Sequence, residues 1–234
     1  MSIAENLAII HGRIELAARR ADHANQAVRL MAVCKTFPAE AITEAHAAGQ
    51  RLFGENKVQE FADKAGKLAS LEGAEFHMIG HLQSNKAAKA VELFHAIDSV
   101  DSAKLAARLN STAEAMGKVL PVLIEINVGA EEAKSGVAPN SPELGEILNG
   151  APAWPNLRIR GLMAVPPYTE DPEDARPYFR KLRELRDKLA VRNLPGVGLD
   201  ELSMGMSHDF EVAIEEGSTC VRIGTAIFGE RAKP

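Results

Sequence analysis

VLIEIN (Val122–Asn127) and IRGLMAV (Ile159–Val165) are apolar on both faces rather than on alternate residues. A strand with one face in water alternates apolar and polar side chains, whereas parallel strands covered on both faces read as near-continuous Val/Ile/Leu runs. The two stretches therefore predict a buried parallel sheet. Working outward, strands are predicted at Leu30 to Lys35, Arg51 to Gly54, Glu75 to Ile79, His95 to Ser99, Leu120 to Asn127, Arg158 to Ala164, Glu201 to Met204 and Val221 to Ile223. Helical stretches separate them at Ala39 to Ala48, Lys57 to Leu71, Asn85 to Leu93, Ser102 to Met116, Pro142 to Asn149, Pro172 to Val191 and Asp209 to Glu216. This strand and helix alternation over 234 residues matches a (β/α)8 TIM barrel. An open doubly wound sheet is the alternative, but no GxGxxG follows the first strand.

Ahead of the first strand, Ile3, Leu7, Ile10, Ile14, Ala17 and Ala21 recur at helical steps, predicting an extra amphipathic helix to about Asn25. The proline-containing stretches Ala151 to Pro155 and Val165 to Pro172 read as loops, so one domain over residues 1–234 is expected.

Composition narrows the function. Lys and Arg number 27 against 32 Asp and Glu, a net charge of −5. No basic stripe offers itself to nucleic acid or to an anionic lipid surface. No apolar run approaches the roughly 20 residues of a membrane span, and the N-terminal stretch lacks the basic and small-residue marks of a signal peptide. The two cysteines, Cys34 and Cys220, stand outside any CxxC and fit a reducing compartment. A cytoplasmic protein without nucleic-acid or membrane partners, a monomer or weak dimer, is expected.

Barrel enzymes carry their chemistry at the C-terminal ends of strands. Lys35 ends the run AVCK and shares a strand face with Val33, opposite Ala32 and Cys34. A lysine in a partly desolvated site is the residue that forms Schiff bases with carbonyl compounds. The plainer alternative is a strand-end lysine that snorkels to solvent. In LSMGMSHDF, Ser203 and Gly205 offer a hydroxyl and a close backbone approach to an anion, with Ser207 as a helix N-cap. In VRIGT, Arg222 is the only charge on the last strand, and Gly224 and Thr225 at its end form a second half of a phosphate cradle. Since the eighth strand lies beside the first, a Schiff-base lysine, an arginine and a phosphate cradle converge, which describes a pyridoxal phosphate (PLP) pocket. Asn56 and Asn127 read as pocket lining. His77 and His81 have the spacing of a metal pair on a helix, but their segment leaves a strand and no third ligand is evident.

AVCKT, LFGENKVQE, FHMIGHLQSNK, INVGAEEAKSG, GLMAV, LSMGMSHDFEVAI and VRIGTAIFGER, in this order from Lys35 to Arg231, resemble the signatures of the pyridoxal phosphate homeostasis proteins. The resemblance implies a single barrel of the alanine racemase N-terminal type without a C-terminal β-domain. It implies that Lys35 forms the Schiff base with the cofactor and that Ser203, Gly224 and Thr225 hold its phosphate, with Met204 and Gly205 nearby. Arg222 is similar to the arginine that meets the pyridine nitrogen in racemase-type barrels. The implied role is binding, buffering and delivery of PLP to apo PLP-dependent enzymes, without established catalysis. Two further readings are a racemase or lyase whose second base is Tyr168 or His208, and a Schiff-base aldolase acting on a phosphosugar. Lys134 in a loop is a candidate second aldehyde contact.

Overall fold

The computed structural model describes residues 1–21, 27–129, 131 and 135–230. Its first helix, α1 (Ile3–Arg20), starts at a capping box. The Ser2 hydroxyl accepts from the Glu5 N–H at 3.2 Å, and the Glu5 carboxylate accepts from the Ser2 N–H at 2.8 Å. The helix stops five residues short of the expected end, with Ala21 as its C-cap. Residues 22–25 of the expected helix lie outside the described residues.

The alternation then runs β1 (Arg29–Val33), α2 (Ala39–Ala47), β2 (Leu52–Glu55), α3 (Val58–Leu68), β3 (Glu75–Met78), α4 (Ala87–Leu93), β4 (Ala96–Val100) and α5 (Ala103–Ala115). It continues through β5 (Leu120–Glu125), α6 (Pro142–Gly150), β6 (Leu157–Met163), α7 (Arg176–Ala190), β7 (Val197–Ser203), α8 (Phe210–Glu215), β8 (Cys220–Ile223) and α9 (Thr225–Phe228). The strands are all parallel and close in sequence order, with β8 pairing back onto β1 from Arg29↔Cys220 to Ala32↔Ile223. The predicted TIM barrel is therefore the observed one, and the open sheet is set aside.

Side-chain alternation sorts the residues into two cores. Leu30, Ala32 and Cys34 on β1 and its end, Phe53 on β2, Phe76 and Met78 on β3 and Val221 and Ile223 on β8 pack outward against the helices. Met31, Leu52 and Cys220 point inward and form a small apolar layer inside the barrel. Gly54 is dictated by that layer, since a Cβ there would stand 2.7 Å from the Met31 sulfur. Outside, α1 packs on α2, α8 and α9, the helices flanking the β8–β1 seam. Leu7, Ile10, Ile14 and Ala17 form its buried stripe. Arg13 grips Glu211 with two 2.9 Å hydrogen bonds, and Asn6 donates to the Ile227 carbonyl at 2.8 Å.

The inward set divides by depth. Below the apolar layer, at the N-terminal end, Arg29, Glu75, His77, Asp98, Arg160 and Glu201 surround a cavity of about 150 Å³. Its charges are mutually paired: His77 Nδ1 lies 3.1 Å from Asp98, Arg29 lies 3.1 Å from Glu75, and Arg160 lies 2.6 Å from Glu201. Above the layer opens the larger cavity described next.

Candidate active site

At the C-terminal mouth of the barrel a cavity of about 550 Å³ is lined from β1 by Val33 and from the turn after it by Lys35, from beyond β2 by Asn56, from β5 by Glu125, from β8 by Arg222 and from the start of α9 by Gly224 and Thr225. Val33 and Lys35 share this wall while Cys34 packs outward, as the strand alternation requires. Lys35 is half-buried, in a turn two residues beyond the end of β1. Asn56 is held close to the β3 end: a Cβ on Gly80 would collide with the Asn56 backbone and side chain.

Arg222 forms the floor. It is 4% exposed; its Nη1 donates to the Ser203 hydroxyl at 2.7 Å and its Nη2 to the Ala164 carbonyl at 2.8 Å. Burial pulls its pKa down, against the opposing pull of Cys220, Asp98, Glu125 and Asp209. Above it, Gly224 and Thr225 open α9, whose first turn closes with the Ile227 and Phe228 N–H groups on the Gly224 carbonyl.

The other sequence candidates sit lower. Ser203 is fully buried under Arg222, and Met204 is fully buried in the outer core with its carbonyl accepting the Ser218 hydroxyl at 2.7 Å. Gly205 is at φ 94°, where a Cβ would stand 2.6 Å from Ala213, and its carbonyl accepts the Arg222 N–H at 2.9 Å. The segment that reaches the cavity is the next one, Met206 to His208. Ser207 is not the N-cap it was expected to be: α8 starts at Phe210, and the Asp209 carboxylate accepts the Met206 N–H at 2.6 Å. The N–H groups that a Ser207 cap would accept, those of Asp209 and Phe210, are instead taken by the Met206 carbonyl at 3.1 and 2.9 Å.

Glu125 is a site residue that motif reading passed over, although a lone charge in VLIEIN was the available signal. It is 6% exposed; Oε1 accepts the Ser135 hydroxyl at 3.0 Å, and Oε2 has no partner among the described residues. Burial raises its pKa, with Asp101 adding to the effect and Arg222 and His81 opposing it. At the rim, His81 Nδ1 lies 3.0 Å from Asp101, and Tyr168 lies against His208 with ring centroids 5.6 Å apart. His77 and His81 do not form a metal pair, because one faces Asp98 deep in the barrel and the other Asp101 at the rim. Among the described residues no group of three metal-ligating side chains occurs. Lys134 lies outside the described residues, and Asn127 bonds the Glu131 carbonyl at 2.8 Å rather than lining the cavity.

The profile of the alanine racemase N-terminal domain matches residues 6–232. The pyridoxal phosphate homeostasis protein of Aquifex aeolicus is 47% identical over 231 residues, covering 99% of each chain. That of Pseudomonas aeruginosa is 48% identical, covering 98% of this chain and 96% of its own. Among solved structures, PipY of Synechococcus elongatus with PLP bound superposes with a TM-score of 0.82 at 37% identity, over 97% of this chain and 100% of that one. Alanine racemase of Clostridium difficile shares the fold at a TM-score of 0.73 and 14% identity, with 60% of its chain covered.

Proposed function

The chain belongs to the pyridoxal phosphate homeostasis proteins, built on the alanine racemase N-terminal barrel, and from that premise we propose that it binds PLP in this cavity and passes it to other proteins. One observation carries the reading: a half-buried lysine, a buried guanidinium and a Gly-Thr helix start converge on a single cavity. Its volume of about 550 Å³ falls within the usual range for small-molecule sites, and its donor set fits PLP. When bound, PLP supplies an aldehyde and an electron-accepting ring. Lys35 offers the amine that condenses with the aldehyde. Gly224 and Thr225 offer a hydroxyl and the first N–H groups of a helix to the phosphate, and Met206 and Ser207 line the same cavity. Arg222 has donors and no acceptor, so a ring nitrogen set against it accepts a hydrogen bond and stays unprotonated. This weakens the electron sink that carbanion chemistry draws on.

The curated relatives, all homeostasis proteins by name, support a carrier rather than an enzyme, working with apo PLP-dependent enzymes as recipients and acting as a monomer or weak dimer. Two buried free thiols, Cys34 and Cys220, fit the cytoplasm as its compartment. The test is to mix the loaded protein with an apo PLP-dependent enzyme and, separately, with amino acids. Recovery of the recipient's activity is expected, with no amino-acid turnover approaching about 1 s⁻¹. A racemase or lyase reading keeps one observation in its favour, since Tyr168 and His208 both line the cavity. Turnover that falls in Tyr168→Phe or His208→Ala would establish it.

A further inference from the structure

Behind the Lys35 turn lies a second lysine that the cofactor chemistry leaves unused. Lys64, on α3, is 8% exposed and points away from the cavity. Its Nζ lies 2.7 Å from Glu55 Oε1 at the end of β2 and donates to the carbonyls of Cys34 at 3.2 Å and Phe37 at 3.0 Å. Glu60, one helical turn earlier and 3.6 Å from the same ammonium, accepts the Thr36 N–H. The Cys34 thiol donates to Glu55 Oε1 at 3.0 Å. Residues 34, 36 and 37 are thus each tied to α3 or to Glu55, and they flank Lys35, which lines the cavity. Thr36 sits at φ 69°, a conformation rare for a β-branched residue and held only where the surroundings over-determine it.

We propose that Lys64, with Glu55 and Glu60, is the positioning residue for Lys35: it fixes the turn so that the Lys35 amine meets an aldehyde whose phosphate is anchored across the cavity. Resting on the PLP reading, this assigns the cluster a function in covalent capture as distinct from phosphate binding. Capture joins the Lys35 nitrogen to the aldehyde carbon, and the two amine hydrogens leave with the aldehyde oxygen as water. A misplaced amine slows that step and weakens its product, while a ligand lacking the aldehyde is indifferent to it.

The test compares PLP with pyridoxine 5′-phosphate, which carries an alcohol in place of the aldehyde. Glu55→Gln combined with Lys64→Met removes both buried charges together, and Glu60→Ala removes the partly exposed anchor alone. In the double variant PLP affinity is expected to fall at least tenfold while pyridoxine 5′-phosphate affinity stays within twofold of wild type. In Glu60→Ala the ratio of the two affinities is expected to fall about threefold. Equal losses for both ligands, or no loss for either, would overturn the proposal, and Glu60→Ala decides the matter if the double variant does not fold. A wild type that binds pyridoxine 5′-phosphate and PLP equally, or neither, refutes the PLP reading itself, before any variant is compared.

Discussion

Glu125 pairs one carboxylate oxygen with Ser135 and leaves the other buried without a partner among the described residues. Burial raises its folded pKa, so the folded protein holds a proton that the unfolded chain releases. Stability is then greatest below the ordinary carboxylate range and declines as pH rises from there through the raised folded value. Glu125→Gln keeps the shape without the titration. Its melting temperature should gain on that of wild type as pH is raised above 4.5, and a difference independent of pH would refute the assignment. At this scale the sequence was informative where chemistry stands out against an apolar strand. Lys35, Arg222, Gly224 and Thr225 were readable as site residues for that reason, and each lines the cavity. Residues 203–205 do not line the cavity, which this stretch of chain reaches only at Met206, because the level at which a strand leaves the barrel depends on stagger. The register shifts between β6 and β7 carry no local sequence mark.

Elements were legible almost throughout, since most strands are short apolar runs and the long helices amphipathic; β7 begins at Val197, four residues before its predicted start, because VGLDELS is not an apolar run. What the pattern could not show is how helices are tied to one another by charge. Glu216, just after α8, is 3% exposed and receives Arg176, Arg180 and Arg183 from α7 at 3.3, 2.8 and 2.9 Å. Burial pushes its pKa up, but the guanidiniums outweigh this and hold it below the ordinary range. Glu216→Gln is expected to cost about 1–3 kcal/mol, between the value of an exposed pair and that of a buried one, because the arginines remain partly in water. Urea denaturation at pH 7 measures this. The sign with pH is opposite to that of Glu125: a lowered folded pKa stabilises above the ordinary carboxylate range, and the contribution disappears as pH falls through the folded value.

For the whole molecule, closure of the barrel sets what the site can be, because only the β8–β1 pairing brings Arg222 and Gly224 beside Lys35. The helix α1 covers the outside of that seam, and Ile10 at its centre is 2% exposed. Ile10→Ala should therefore destabilise the protein by about 2–5 kcal/mol. If it unfolds in a single transition with an unchanged urea dependence, α1 is part of the barrel's cooperative unit. A separate early transition would instead make α1 a detachable cover. The site above the seam is open to one direct test: load the purified protein with PLP, record its visible absorption beside that of Lys35→Ala, reduce with borohydride and map the labelled peptide. A visible band in wild type that the variant lacks, with the reduced adduct on Lys35, is the predicted result. A wild type that takes up no PLP, or an adduct confined to other lysines, would contradict the account.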